Sequence, residues 1–208
     1  MIAEFPCVMT DLFKDKAADW DSRPIPARIS EAVGHSILAR VALRDDMRVM
    51  DFGAGTGLVC GWLAPRVGKI FAVDVSAAML ATLAAKPELQ GKVETVCRDL
   101  LETNLDTTVA LVVSAMAMHH VEHIDRMLEA LCRHLEPDGQ IALADLDAEN
   151  GDFHPEGTTG VFHHGFDRED LRDRLEKAGF DQIEFETALE LEKDDKPYSV
   201  FLVTARRR

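Results

Sequence analysis

Nothing in this chain approaches the ~18 consecutive apolar residues that a membrane helix needs. The longest candidate, Val109 to Met118, already contains Ser114. No basic stretch precedes an apolar run near the start, where Glu4 stands, so no secretory signal is expected. Cysteine is sparse, and Cys7, Cys60, Cys97 and Cys132 form no CxxC pair. That spacing offers neither a disulfide frame nor a zinc site and reads as reduced, packed thiols in a cytoplasmic protein. Positive charge is short as well: 23 Lys and Arg face 37 Asp and Glu, a formal charge of −14. Such a surface repels phosphate backbones, so nucleic acid is not an expected partner. The terminal Arg206-Arg207-Arg208 is too short to reverse this. Repeats and low-complexity tracts are missing too. What remains is 47% hydrophobic residues spread along 208, enough for a single domain over 1–208 and against disorder.

Within that domain short β-rich runs alternate with helical ones. Strands are expected at Arg48–Phe52, Lys69–Asp74, Val93–Cys97, Val109–Ser114 and Gln140–Leu146. Helices are expected around Leu58–Pro65, over Ala77–Ala85, and from Ile124 to Leu135. In the last of these Ile124, Met127, Leu128, Leu131 and Leu135 make one apolar stripe, stopped by Pro137-Asp138-Gly139. A further helix follows Asp167 as N-cap and ends at Gly179. Ile183–Thr187 and Val200–Thr204 are two final strands with no helix between them, which makes them antiparallel. The expected architecture is α/β: a doubly wound, mostly parallel sheet with an antiparallel hairpin at one end. Residues 1–28 and 147–166 fit neither pattern and are candidate lid segments, one at the N-terminus and one on the substrate side.

The most informative stretch is Asp51-Phe52-Gly53-Ala54-Gly55-Thr56-Gly57-Leu58, at the end of the first strand. Its glycines let the backbone turn tightly and approach a ligand. The dinucleotide fingerprint GxGxxG requires glycine where Leu58 stands, which disfavours a nicotinamide cofactor. The second strand ends in Val73-Asp74-Val75-Ser76, and a carboxylate there can accept both hydroxyls of an unphosphorylated ribose. Ser76 offers itself as the helix N-cap, which releases Asp74 from that role. Arg98-Asp99-Leu100 closes the third strand with another acid, suited to an adenine amino group. One acid at a strand end is commonly a solvated cap. Three in succession, Asp51, Asp74 and Asp99, share the carboxyl edge of the sheet and point to a nucleoside ligand.

On these residues the chain resembles the class I S-adenosylmethionine-dependent methyltransferases, particularly the small-molecule type related to ubiquinone and menaquinone biosynthesis. The likeness runs over about residues 10–205. Besides Asp51 to Gly57 it rests on Val73 to Ser76 with Met79, Arg98 to Leu100, Ser114 to His120, and Leu135 to Gly139. It implies a seven-stranded Rossmann-like sheet with the cofactor over the carboxyl ends of the first strands. Gly53, Gly55 and Gly57 would line the methionine moiety, and Asp51 and Ala54 of the same stretch would also be cofactor-binding. Asp74 and Val75 with Met79 would hold the ribose side, Asp99 and Leu100 the adenine. Ser114 would offer its carbonyl to the ligand's ammonium group. The Asn/Asp-Pro-Pro-aromatic motif of amino-directed DNA methyltransferases and the paired-glutamate loop of protein arginine methyltransferases are both missing, which favours a small-molecule acceptor.

Ser114 to Val121 follows the fourth strand, beside the point where the strand order reverses and ligands bind. Its adjacent His119 and His120 point different ways, and His119 is the better candidate to meet the acceptor. A second cluster, Phe162-His163-His164-Gly165-Phe166 with Phe153-His154 nearby, lies in the long irregular segment. The expected catalytic candidates are His119, His163 and His164. Six histidines with Asp145 and Asp147 supply enough ligands for a metal on paper, but no pair has a recognised metal spacing, so none is expected. The reading is thus a cytoplasmic S-adenosylmethionine-dependent methyltransferase, yielding S-adenosylhomocysteine. A non-catalytic S-adenosylmethionine-binding partner subunit is the alternative, and an NAD-dependent oxidoreductase a more distant one. The acceptor atom, the use of a base and the oligomeric state are not encoded in these motifs.

Overall fold

The computed structural model describes residues 11–208; the first ten residues of the expected N-terminal lid lie outside the described residues. Strands β1 (Arg48–Phe52), β2 (Lys69–Asp74), β3 (Val93–Cys97), β4 (Val109–Ala115), β5 (Leu135–Leu146), β6 (Phe180–Lys193) and β7 (Lys196–Arg207) form one sheet in the order β3-β2-β1-β4-β5-β7-β6. The pairs from β3 through β5 are parallel, and β7 runs antiparallel to both β5 and β6. The expected architecture is observed, with the reversal of strand order between β1 and β4. The hairpin turn at Asp194-Asp195 takes positive φ at both residues (52° and 59°), which twists with the strands it joins.

Two layers clothe the sheet. Helices α1 (Pro24–Arg40), α2 (Leu58–Leu63) and α3 (Ala77–Ala84) cover one face, while α4 (Ile124–His134) and α5 (Arg168–Lys177) cover the other. The central strands alternate accordingly. Ala142, Ala144 and Leu146 of β5 join the first core, and Ile141 and Leu143 join the second. In α4 the expected stripe is buried, including Met127, Leu128 and Leu131. Asp167 caps α5 by accepting from the N–H groups of Glu169 and Asp170.

Three features depart from the expected elements. Helix α1 falls where no helix is expected, although Ile29, Val33 and Ile37 make a buried i, i+4, i+8 row on it. Pro24 and Pro26 open it rather than break it, because the first turn has no N–H partner to lose. Strands β6 and β7 extend well past their apolar centres, since edge strand β6 carries Glu184, Glu186, Glu190 and Glu192 along its length. Third, the 147–166 segment is anchored at its base. Asp147 bridges Phe166, Ala148 and Glu149 donate to the carbonyls of Phe166 and His164, and Arg168 clasps Asp147 with two 2.7 Å bonds. No helix among the described residues is long and apolar enough to cross a membrane.

Candidate active site

A cavity of about 540 Å³ opens at the carboxyl edge of the sheet, above β1, β2 and β4. Its floor is the turn after β1. The N–H groups of Gly53 and Ala54 both donate to the carbonyl of Val73, at 2.9 and 3.1 Å, which ties the turn to the end of β2. Gly53 sits at φ 69°, and a Cβ there would lie 2.3 Å from the Cβ of Ala117, so only glycine lets the turn pass beneath that segment. At Gly55, φ 54°, an added Cβ would meet nothing within 4 Å, because the residue faces the open cavity.

Asp74 is built into this floor. One oxygen accepts from Gly55 N–H and the other from Ser76 N–H, each at 2.8 Å. Ser76 caps α3 as expected, accepting from Met79 N–H, yet Asp74 is not thereby released. It braces the glycine turn, and its remaining lone pairs face the cavity. Burial pushes its carboxyl up, against the pull of these backbone bonds. Asp99 accepts from Leu101 N–H at 2.8 Å and lines the same cavity with Val75, Met79, Arg98 and Leu100.

Asp51 is fully enclosed behind the turn, where the Cys60 thiol donates to it at 3.1 Å. Burial pushes its carboxyl up to about 7; the Cys60 bond acts in opposition and the charge of Asp74 adds to the rise. A folded-state value above the ordinary carboxylate value means that the folded chain holds this proton longer than the unfolded chain does. Asp51 therefore lowers stability as pH rises from about 4 through about 7. Urea melts at about pH 5 and about pH 8 should show a steeper loss for the wild type than for Asp51→Asn. Equal slopes would remove Asp51 from that role.

The opposite wall is made of imidazoles. His119, 1% exposed, places Nδ1 2.7 Å from Asp145 Oδ1, and its own N–H donates to Asp145 Oδ2. Leu146 N–H also donates to Asp145, so a wholly buried carboxylate gathers three donors. Nε2 of His119 lies 3.1 Å from Nε2 of His154, and His120 Nδ1 lies 2.6 Å from the carbonyl of Gly160. Burial lowers the pKa of both His120 and His154 to about 4, with His119 contributing in each case. The irregular segment is folded onto this cluster: the N–H groups of Phe162 and His163 donate to the carbonyl of His119. Phe13 packs edge-on against His120, and Trp20 lines the cavity. The strap carrying them is held by Asp21, which accepts from Thr56 and pairs with Lys86.

Several expected positions are corrected. The Ser114 side chain is buried inside β4, where its hydroxyl donates to the carbonyl of Phe52, and the cavity lining begins at Ala115; the role expected of Ser114 rests on its backbone carbonyl. Gly57 caps α2 at φ 80° and packs on Leu83 and Leu89, away from the cavity lining. His163 and His164, expected in the cleft, do not line it. The His163 ring bonds to the carbonyl of Val121 and lies against Phe166, and His164 points outward beside Glu149. The backbone bonds to His119 turn the segment so that Phe153 and His154 face inward instead, with the exposed Phe162 at the cavity's rim. His120 and His154 in the wall, and Asp145 buried behind His119, are the polar residues that sequence reasoning placed second or left as paper ligands.

Residues 49–139, from β1 into β5, match the family described as a methyltransferase domain. An uncharacterized methyltransferase of Schizosaccharomyces pombe is 31% identical over 59% of this chain and 49% of its own length. The arginine-hydroxylase NDUFAF5 of Mus musculus is 35% identical over 61% of this chain and 38% of its own. The chain thus spans about half or less of the length of these curated relatives. Among solved structures, the N-methyltransferase NodS of Bradyrhizobium japonicum, in complex with S-adenosylhomocysteine, superposes with a TM-score of 0.71 at 14% identity, covering 95% of this chain and 94% of that one. Sheet order, glycine turn and family match agree: residues 49–139 match a methyltransferase domain, carried on the Rossmann-like sheet of the methyltransferase fold.

Proposed function

We propose that this chain transfers the methyl group of S-adenosylmethionine to a small-molecule acceptor in the cytoplasm. The observation that carries the proposal is one cavity with two unlike ends. Gly53 to Gly55, Asp74 and Asp99 form one end; His119, His154 and aromatic rings form the other. The residues fit the cofactor. Gly55 leaves a space that a Cβ would fill, and Asp74 keeps lone pairs for ribose hydroxyls after accepting two backbone N–H groups. Asp99, beside Leu100, suits an exocyclic amino group, while Val75 and Met79, which line the same end, would flank the sugar.

The bound cofactor supplies an already activated methyl group, so alignment provides much of the rate. The chain's own work is positioning. Phe13, Trp20, Phe153 and Phe162 exclude water from the acceptor side, and the N-terminal strap and the 147–166 segment close over it. His119, oriented by Asp145, lines that side with its Nε2 against Nε2 of His154. His163 and His164 have no part in this proposal.

A fold of this kind hosts more than one chemistry, as the hydroxylase name of one relative illustrates. The test is therefore direct. Calorimetry should show S-adenosylmethionine and S-adenosylhomocysteine binding more tightly than NAD. A panel of phenolic, carboxylic, amine and thiol acceptors should then release S-adenosylhomocysteine. Weaker binding than NAD would overturn the cofactor assignment. Tight binding with no turnover across the panel would favour the non-catalytic partner subunit.

A further inference from the structure

We propose that His119, His120 and His154 bind a divalent first-row transition-metal ion at the acceptor wall of the cavity. The three residues come from two separate segments, the short 3-10 turn after β4 and the 147–166 segment, so no sequence spacing announces them. Folding nevertheless brings one ring nitrogen of each within 4.8 Å of the others.

The hydrogen bonds around the rings decide which nitrogens are available. The Nδ1 atoms of His119 and His120 each face an oxygen acceptor, Asp145 Oδ1 and the carbonyl of Gly160. Each Nδ1 must then carry the proton, which leaves the lone pair of both rings on Nε2. A carboxylate or carbonyl holding the far nitrogen of an imidazole is the usual support behind a metal-ligating histidine. Here a buried carboxylate supports one ring and a backbone carbonyl the other. His154 completes the set, its Nε2 standing 3.1 Å from that of His119. Two nitrogens about 2.0–2.1 Å from one ion stand roughly 2.9–3.4 Å apart between octahedral and tetrahedral angles. The pair already has that spacing, and a ring nitrogen of His120 stands within 4.8 Å of both.

The donor set selects the ion. Three neutral imidazoles suit zinc, iron, cobalt, nickel or copper, whereas magnesium and calcium require oxygen. Three protein ligands leave at least one coordination position open, and all three residues line the cavity, so that position faces it. An oxygen-bearing acceptor would be held there. That consequence rests on the methyltransferase reading; binding of the ion does not.

The experiment uses the full chain, stripped with a chelator and exchanged into metal-free buffer. Zinc titrated by calorimetry should bind at one ion per chain. Cobalt should give visible ligand-field bands that zinc displaces and magnesium leaves unchanged. His120→Ala and His154→Ala, checked for folding by circular dichroism, should each weaken zinc binding by tenfold or more. X-ray absorption on the zinc-loaded wild type should show scattering from three imidazoles, a readout that needs no variant to fold. Failure of stoichiometric binding, undiminished affinity in both folded variants, or a shell of oxygen or sulfur would each overturn the proposal. None of these readouts depends on turnover, so a failed acceptor panel and a failed metal site remain distinguishable.

Discussion

Replacing Asp145 by alanine should destabilise the chain by about 3 kcal/mol or more, because it strands several buried donors and each one left without an acceptor costs roughly 1–3 kcal/mol. The carboxylate is fully buried and accepts from His119 Nδ1, the His119 backbone and the Leu146 backbone. Alanine leaves buried donors without an acceptor and opens a void too small to hydrate them all. The damage should spread, because the carbonyl of His119 anchors the backbone of Phe162 and His163. Urea denaturation measures the loss, and limited proteolysis should cut the 147–166 segment earlier than in the wild type. Asp145→Asn should recover part of the stability, since its one carbonyl oxygen still accepts from His119 Nδ1. A loss under about 1 kcal/mol would mean that water or rearrangement replaces the carboxylate.

Asp74→Ala should weaken S-adenosylmethionine binding roughly ten- to a hundredfold, corresponding to about 1.5–3 kcal/mol for charge-assisted hydrogen bonds. Reading the sequence alone, one expects a pure binding defect, with stability untouched. The bonds to Gly55 and Ser76 change that expectation. Without the carboxylate the glycine turn loses its brace, so melting should fall as well. Asp74→Asn should not rescue either property. One amide oxygen can still accept from a backbone N–H, but the amide nitrogen meets the other N–H donor to donor, so it should remain impaired in both. Calorimetry and thermal melts on the two variants check this. Unchanged affinity in Asp74→Ala would remove the residue from the cofactor site.

Much of this molecule is legible without coordinates. Strands β1 to β4 match their expected bounds to within a residue because each is a short run bounded by glycine, proline or charge; β1, β2 and β4 are largely buried, edge strand β3 is partly exposed, and β5 begins at Leu135, five residues before its expected start. The acids at the strand ends reach one edge because parallel strands all point the same way. Helix α1 was missed although its buried row was there to count, because Pro24 and Pro26 at its start look like breakers outside a first turn.

What the sequence determined by itself is therefore the sheet, its reversal point and the acidic edge above it: local periodicity and strand direction suffice for these. The other half of the cavity was decided only by tertiary structure. Which of the neighbouring histidines face inward depends on backbone bonds from Phe162 and His163 to His119, across more than forty positions of chain. The same folding sends His163 to the Val121 carbonyl and brings His154 to His119. A ring's direction in an irregular segment is set by its distant partners, and no period along the chain carries that information.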